Sequence, residues 1–137
     1  MRIGSRGTWG IAGAVAMAMA VGCSSGGNSG GGTSPSPTPS NPTSTTTITI
    51  TNNTVSPKAI IVPRGSQVTF VNNDTVTHDM SSDPHPEHTD CREINQVGFL
   101  TPGQSRQTSN LNTPRTCGYH DHERNTVQGL QGTITIQ

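Results

Sequence analysis

KAIIVPRGSQVTFVNND, residues 58–74, decides the fold. Its opening holds a short apolar run, Ala59 to Val62, stopped by Pro63, and Pro63-Arg64-Gly65-Ser66 then supplies the residue types a tight turn needs. After the turn Val68 and Phe70 alternate with Gln67 and Thr69, the period of two that sends side chains to opposite faces of a pleated strand, and Val71 falls on the other face. Asn72-Asn73-Asp74 supplies a second turn. Strand, turn, strand, turn is the reading, because the segments are short and β-branched and carry no helical period.

The same pattern continues on both sides. TTTITIT (45–51) sets Ile48 and Ile50 against threonines, and VTHDM (76–80), VGFL (97–100), SRQTSNL (105–111), a stretch around 115–121 and GTITIQ (132–137) are further short strand candidates. Thr-Pro-Gly-Gln at 101–104 is another turn. About seven or eight short strands with turn signals between them predict an all-β protein, a Greek-key β-sandwich.

Upstream of this pattern the composition changes twice. Arg2 and Arg6 precede an uncharged stretch from about Trp9 to Gly22 that ends in Ala20-Val21-Gly22-Cys23, which resembles a bacterial lipoprotein signal. The apolar segment is short for a membrane span, and a small residue directly before a cysteine suits lipoprotein processing. The expectation is that residues 1–22 are a signal peptide, that Cys23 is the lipidation site, and that the protein is exported to the periplasmic or cell-surface side and held to the membrane through its lipid anchor. Residues 24–44 are Ser, Gly, Thr, Pro and Asn without one charged or apolar side chain. Such a segment cannot bury enough surface to offset its ordering entropy, so 23–44 is read as a lipidated cysteine and a disordered linker. Residues 45–137 remain as one small domain, of a size for which a metal or a disulfide is a useful stabiliser.

Charge excludes some functions. Eight Lys and Arg balance eight Asp and Glu over the whole chain, and no basic run occurs, so nucleic acid is not an expected partner. No Ser-His-Asp spacing, phosphate-cradling glycine loop or carboxylate pair stands out, and the chain is read as a protein that is not an enzyme. The histidines do stand out. All five fall in two clusters, His78, His85 and His88 in HDMSSDPHPEH and His120 and His122 in CGYHDH, and imidazole is the commonest protein ligand for transition metals.

The order TVSPKAIIVPRGSQVTFVNNDTVTHD, then LTPGQS, then a histidine-containing turn, then LQGTITI resembles the cupredoxins, the blue-copper sandwich proteins. The resemblance covers the whole domain and implies copper as the cofactor and His78 as the first ligand; an all-imidazole site of His78, His120 and His122 would make zinc the alternative. It leaves the last turn open. In one alignment Cys117 and His120 are thiolate and imidazole and Leu130 stands at the axial methionine's place. In the other, Asp121 takes the copper cysteine's place and the thiolate is missing. The metal candidates are therefore His78, His120, His122 and Cys117, the last only if it is not paired with Cys91. Cysteine arithmetic favours that pairing, since an exported domain with Cys91 and Cys117 as its two thiols tends to join them, and a similar bridge occurs in the phytocyanin branch of the family. His85 and His88, flanked by Pro84 and Pro86, are read as surface residues or contacts behind the ligands. The functional expectation is an extracytoplasmic, membrane-tethered copper-binding protein, an electron carrier or a copper-binding module with a redox or copper-delivery protein as partner. The alternatives are a non-redox Cu or Zn storage or delivery module and a structural sandwich lipoprotein that has lost its metal.

Overall fold

The computed structural model describes residues 41–137. The expected signal peptide, Cys23 and all but the last four residues of the linker lie outside the described residues. Ten strands form two sheets: β1 (Thr43–Ser44), β2 (Thr47–Thr51), β3 (Thr54–Ser56), β4 (Ala59–Val62), β5 (Thr69–Asn72), β6 (His78–Ser82), β7 (Gly98–Leu100), β8 (Ser105–Gln107), β9 (Arg115–Asp121) and β10 (Gly132–Ile136). One sheet runs β1-β4-β10-β9-β6-β7 and the other β3-β2-β5-β8. Three single-turn 3-10 helices, Ile94–Gln96, His122–Arg124 and Gln128–Leu130, complete the described residues, which contain no α-helix. The β-sandwich is the fold expected from the alternation.

Two strands are additional to the eight segments read from the sequence. Asn52 and Asn53 both take left-handed backbone, φ 51° and 53°, and turn β2 back into β3 with Thr51 opposite Thr54. Asparagine tolerates that conformation better than other non-glycine residues, and paired left-handed residues make the hairpin turn whose twist suits a sheet. Thr43 and Ser44, placed in the linker by composition, pair in parallel with Ile60 and Ile61 as β1. The 105–111 segment is shorter than its alternation implies: pairing stops at Gln107, and Leu111 makes an isolated bridge to Ser66.

The strand period decides what is inside. Ile48, Ile50, Val68 and Phe70 come from the smaller sheet and its approach, and Ile60, Val62, Met80, Tyr119 and Ile134 from the larger, all buried. Phe70 meets Tyr119 edge-on across the sandwich at a ring separation of 5.2 Å, a geometry worth about 0.5–1.5 kcal/mol beyond area burial. Leu130, at the position the resemblance gave to an axial ligand, is fully buried among these side chains.

Two strands of the larger sheet carry the site. β6 and β9 are antiparallel with Met80 opposite Asp121, Ser81 opposite His120 and Ser82 opposite Tyr119. On β9, alternation sends Cys117, Tyr119 and Asp121 to one face and His120 to the other. His120 is nevertheless only 2 % exposed, because the chain leaving β6 folds back over it.

Candidate metal centre

The segment that leaves β6 is pinned to β9 at each end. At its start the Asp83 N–H donates to the Gly118 carbonyl (3.0 Å), and at its end the Gly118 N–H donates to the Asp90 carboxylate (3.0 Å) while the Asp90 N–H donates to the Asp83 carbonyl (2.8 Å). Cys91, the next residue, is joined to Cys117 by a disulfide with the Cα atoms 5.7 Å apart. The pairing favoured by cysteine arithmetic is thus the one found, and Cys117 has no thiolate to offer a metal. Asn95 ties the segment across its middle, donating to the His88 carbonyl (2.9 Å) and accepting from the Ser82 N–H (2.8 Å). His88 is held there with φ 51°, backbone that L residues avoid and that persists where surrounding contacts impose it.

These ties bring four histidines together. His85, His88, His120 and His122 each offer one ring nitrogen, and the four atoms lie within 4.8 Å of one another. Ring centroids are 4.9 Å apart for both His85–His122 and His88–His122, and 5.1 Å for His88–His120. A metal–nitrogen bond of about 2.0–2.1 Å places tetrahedral donor atoms about 3.3 Å apart, so side-chain rotations of an ångström or so close the group around one ion.

The hydrogen bonds behind the rings select which nitrogen faces inward. The Nδ1–H of His88 donates to the Ser82 carbonyl (2.8 Å), which in the neutral ring leaves Nε2 with a lone pair; His122 Nδ1 lies 2.8 Å from that Nε2. His120 Nδ1 meets the Asp83 carboxylate at 2.5 Å, and its Nε2, buried, has no hydrogen-bond partner among the described residues. A buried nitrogen left unmatched costs about 1–3 kcal/mol, and a cation at the centre of the group would satisfy it. The carboxylate–imidazole pair is also the arrangement that fixes ring orientation and raises the basicity of a ligating histidine. His85 is exposed at the rim. Desolvation, then the neighbouring His122, His120 and His88, hold it below the ordinary imidazole range, which favours the neutral form that can ligate.

Asp83 reaches His120 because residue 118 is glycine. A Cβ built on Gly118 would lie 2.0 Å from Asp83 Oδ2 and 2.8 Å from its Cγ. The absent side chain is the space the carboxylate occupies.

His78, expected as the first ligand, is not among the four. It is fully buried, with Nδ1 2.6 Å from Asp121 Oδ2 and Nε2 3.4 Å from Asp74 Oδ2, so both ring nitrogens face carboxylates. Asp121 also accepts from Arg124 (3.3 Å) and from the Glu123 N–H (3.0 Å), capping the turn that carries His122. The backbone N–H groups of Asn53 and Thr75, with His78 adding to them, hold the Asp74 carboxyl below the usual carboxylate range. Of the residues expected at the metal, the structure brings His120 and His122 together and adds His85 and His88, for which the sequence reading is surface residues or contacts behind the ligands. The reason is long-range: the disulfide sits three residues after His88 and three before His120, so closing it draws the two clusters together.

No protein-family model matches the chain, and no curated protein matches it by sequence. Solved structures do match in shape. A purple cupredoxin from Nitrosopumilus maritimus superposes with a TM-score of 0.51 at 19 % identity over 68 % of this chain and 100 % of its own. An oxidised plastocyanin from Dryopteris crassirhizoma gives 0.52 at 19 % over 66 % and 99 %. A reduced amicyanin variant gives 0.54 at 13 % over 66 % and 80 %. At these identities the likeness is one of fold.

Proposed function

We propose that this chain, a cupredoxin in fold, is an extracytoplasmic copper-binding module whose site is the four-imidazole group His85, His88, His120 and His122 in place of a thiolate centre. The single observation that carries this is the gathering of four ring nitrogens within 4.8 Å of one another, where the buried Nε2 of His120 has no hydrogen-bond partner among the described residues. Four neutral nitrogens suit a tetragonal Cu(II) ion, and copper stands above zinc in the affinity order for such donors, with tetrahedral zinc the next fit. Asp83 and the Ser82 carbonyl orient two of the rings from behind, and the Cys91–Cys117 bridge leaves neither of these sulfurs as a thiolate ligand.

The missing thiolate sets the role. A copper thiolate couples the metal outward for rapid electron transfer, whereas an all-imidazole site lacks that covalency and favours different geometries for Cu(I) and Cu(II). Storage or delivery of copper therefore suits the site better than rapid electron carriage. Export and a lipid tether at Cys23 fit a domain that keeps a disulfide, because oxidising compartments are where such bridges persist.

One equivalent of Cu(II) added to the protein should give a weak visible band, no intense copper–thiolate absorption, and an electron paramagnetic resonance spectrum split by equivalent nitrogens. His120→Ala should abolish stoichiometric binding. An intense blue or purple colour, or binding that survives His120→Ala unchanged, refutes the four-imidazole reading.

A further inference from the structure

The four rings are not held alike. His120 is buried and fastened at Nδ1 by Asp83, and His88 is fastened at Nδ1 by the Ser82 carbonyl with its own carbonyl tied by Asn95. His122 lies on the turn that Asp121 caps, within hydrogen-bond distance of His88. His85 is the exception. It is exposed, and among the described residues neither of its ring nitrogens makes a hydrogen bond; it meets the other imidazoles at ring separations of 4.9–5.6 Å.

From this asymmetry we infer that His85 is the displaceable ligand: its coordination position is the one at which a small free donor, an anion or a neutral nitrogen base, enters from solvent while His88, His120 and His122 keep the metal. This rests on the four-imidazole reading above and says how that site exchanges ligands. Moving His120 off the centre breaks a hydrogen bond to a carboxylate, and moving His88 breaks one to a carbonyl. Rotating His85 about its side-chain torsions breaks none and carries the ring outward into water, with no movement of the backbone. The incoming donor forms one bond to the metal as the His85 nitrogen gives up its own, so no electron is transferred and the oxidation state does not change. Ligation of the remaining three rings is undisturbed because none of their hydrogen bonds passes through His85.

The experiment uses the full chain loaded with one equivalent of Cu(II), with sodium azide as the probe. Wild type should develop a near-ultraviolet azide-to-copper charge-transfer band as azide is added and keep its copper through desalting. His85→Ala should retain one equivalent of copper after desalting and form the azide adduct at lower azide concentration than wild type, the position being open already. His88→Ala should lose its copper on desalting. His85→Gln, which keeps a polar side chain at the rim, guards against a folding defect in the alanine variant, and the wild-type titration does not depend on either. Failure of wild type to hold Cu(II) at all would sink the proposed function. Copper that is held while azide forms no adduct in wild type or in the His85 variants, or is lost from His85→Ala as readily as from His88→Ala, would overturn the displaceable ligand alone.

Discussion

Replacing Gly118 with alanine is the sharpest test of how the site is built, because the three atoms nearest the added methyl all belong to Asp83 and none to a histidine. The new Cβ would lie 2.0 Å from Asp83 Oδ2, 2.8 Å from Cγ and 3.2 Å from the Asp83 Cβ, so the carboxylate must leave its place. It has somewhere to go, since the Asp83 side chain is 48 % exposed and can swing into water. The cost to folding should therefore stay at the low end of overpacking, about 1 kcal/mol. The cost to the metal is larger. Without Asp83 behind it, the His120 ring loses the partner that fixes its orientation, and loss of such a partner lowers metal affinity about 10- to 100-fold, or roughly 1.4–2.7 kcal/mol. Competition titration with a chelator reads the affinity and thermal denaturation of the metal-free protein reads the fold. Asp83→Ala should weaken binding by the same factor, and the double variant should be no weaker than Asp83→Ala, because both changes act through one hydrogen bond. Wild-type affinity in Gly118→Ala, or fully additive losses in the double variant, would refute the claim that Asp83 orients His120 through the space at residue 118.

Two further outcomes follow from the same geometry, and a third from the sequence around Cys23. His78→Ala should leave one equivalent of copper bound while lowering stability in denaturant by about 3 kcal/mol, since it strips a buried carboxylate, Asp121, of its main partner; loss of copper with an unchanged fold would return His78 to the ligand set. Thiol counting on unfolded, unreduced protein should find neither Cys91 nor Cys117 free, and reduction should cost about 3.5 kcal/mol for a separation of 26 residues, with a parallel fall in copper affinity as the loop bearing His85 and His88 is released. Cys23→Ser should move the protein from membrane pellets to the soluble fraction, and a variant that still sediments with membranes would place the anchor elsewhere.

The strands were legible wherever one face meets the core and the other meets water. Ile48, Ile50, Val68 and Phe70 announce themselves by alternation because burial on one face of a pleat selects every second residue. Asn52-Asn53 was a readable hairpin signal that the threonine-rich run obscured, and β1 was not readable, since Thr43 and Ser44 pair through backbone groups and have the composition of the linker before them. The site was legible in part. His120 and His122 could be read together as candidate ligands from CGYHDH, and the bridge could be argued from the cysteines. That His78 stands apart from the histidine group could not be read from sequence, because it depends on Asp121 and Asp74 meeting its ring in the fold. His85 and His88 carried a usable signal once Cys91 and Cys117 are joined, namely that both lie within six residues of a bridge end; what no local pattern shows is the Asp83 carboxylate seated in the space at Gly118.

The short first strand also bears on how the molecule keeps to itself. β4 is Ala59-Ile60-Ile61-Val62, paired on one side with β10 and on the other with β1. Without Thr43 and Ser44 it would become an open border of the larger sheet, with unpaired amide and carbonyl groups running along an aliphatic, β-branched segment, which is a template for another chain to pair with. Two exposed hydroxyl-bearing residues turn that border polar and occupy its hydrogen bonds. A protein trimmed to begin at Thr45 would thus keep its histidine cluster and its core yet gain an adhesive rim, and should self-associate through β4 more readily than the longer chain.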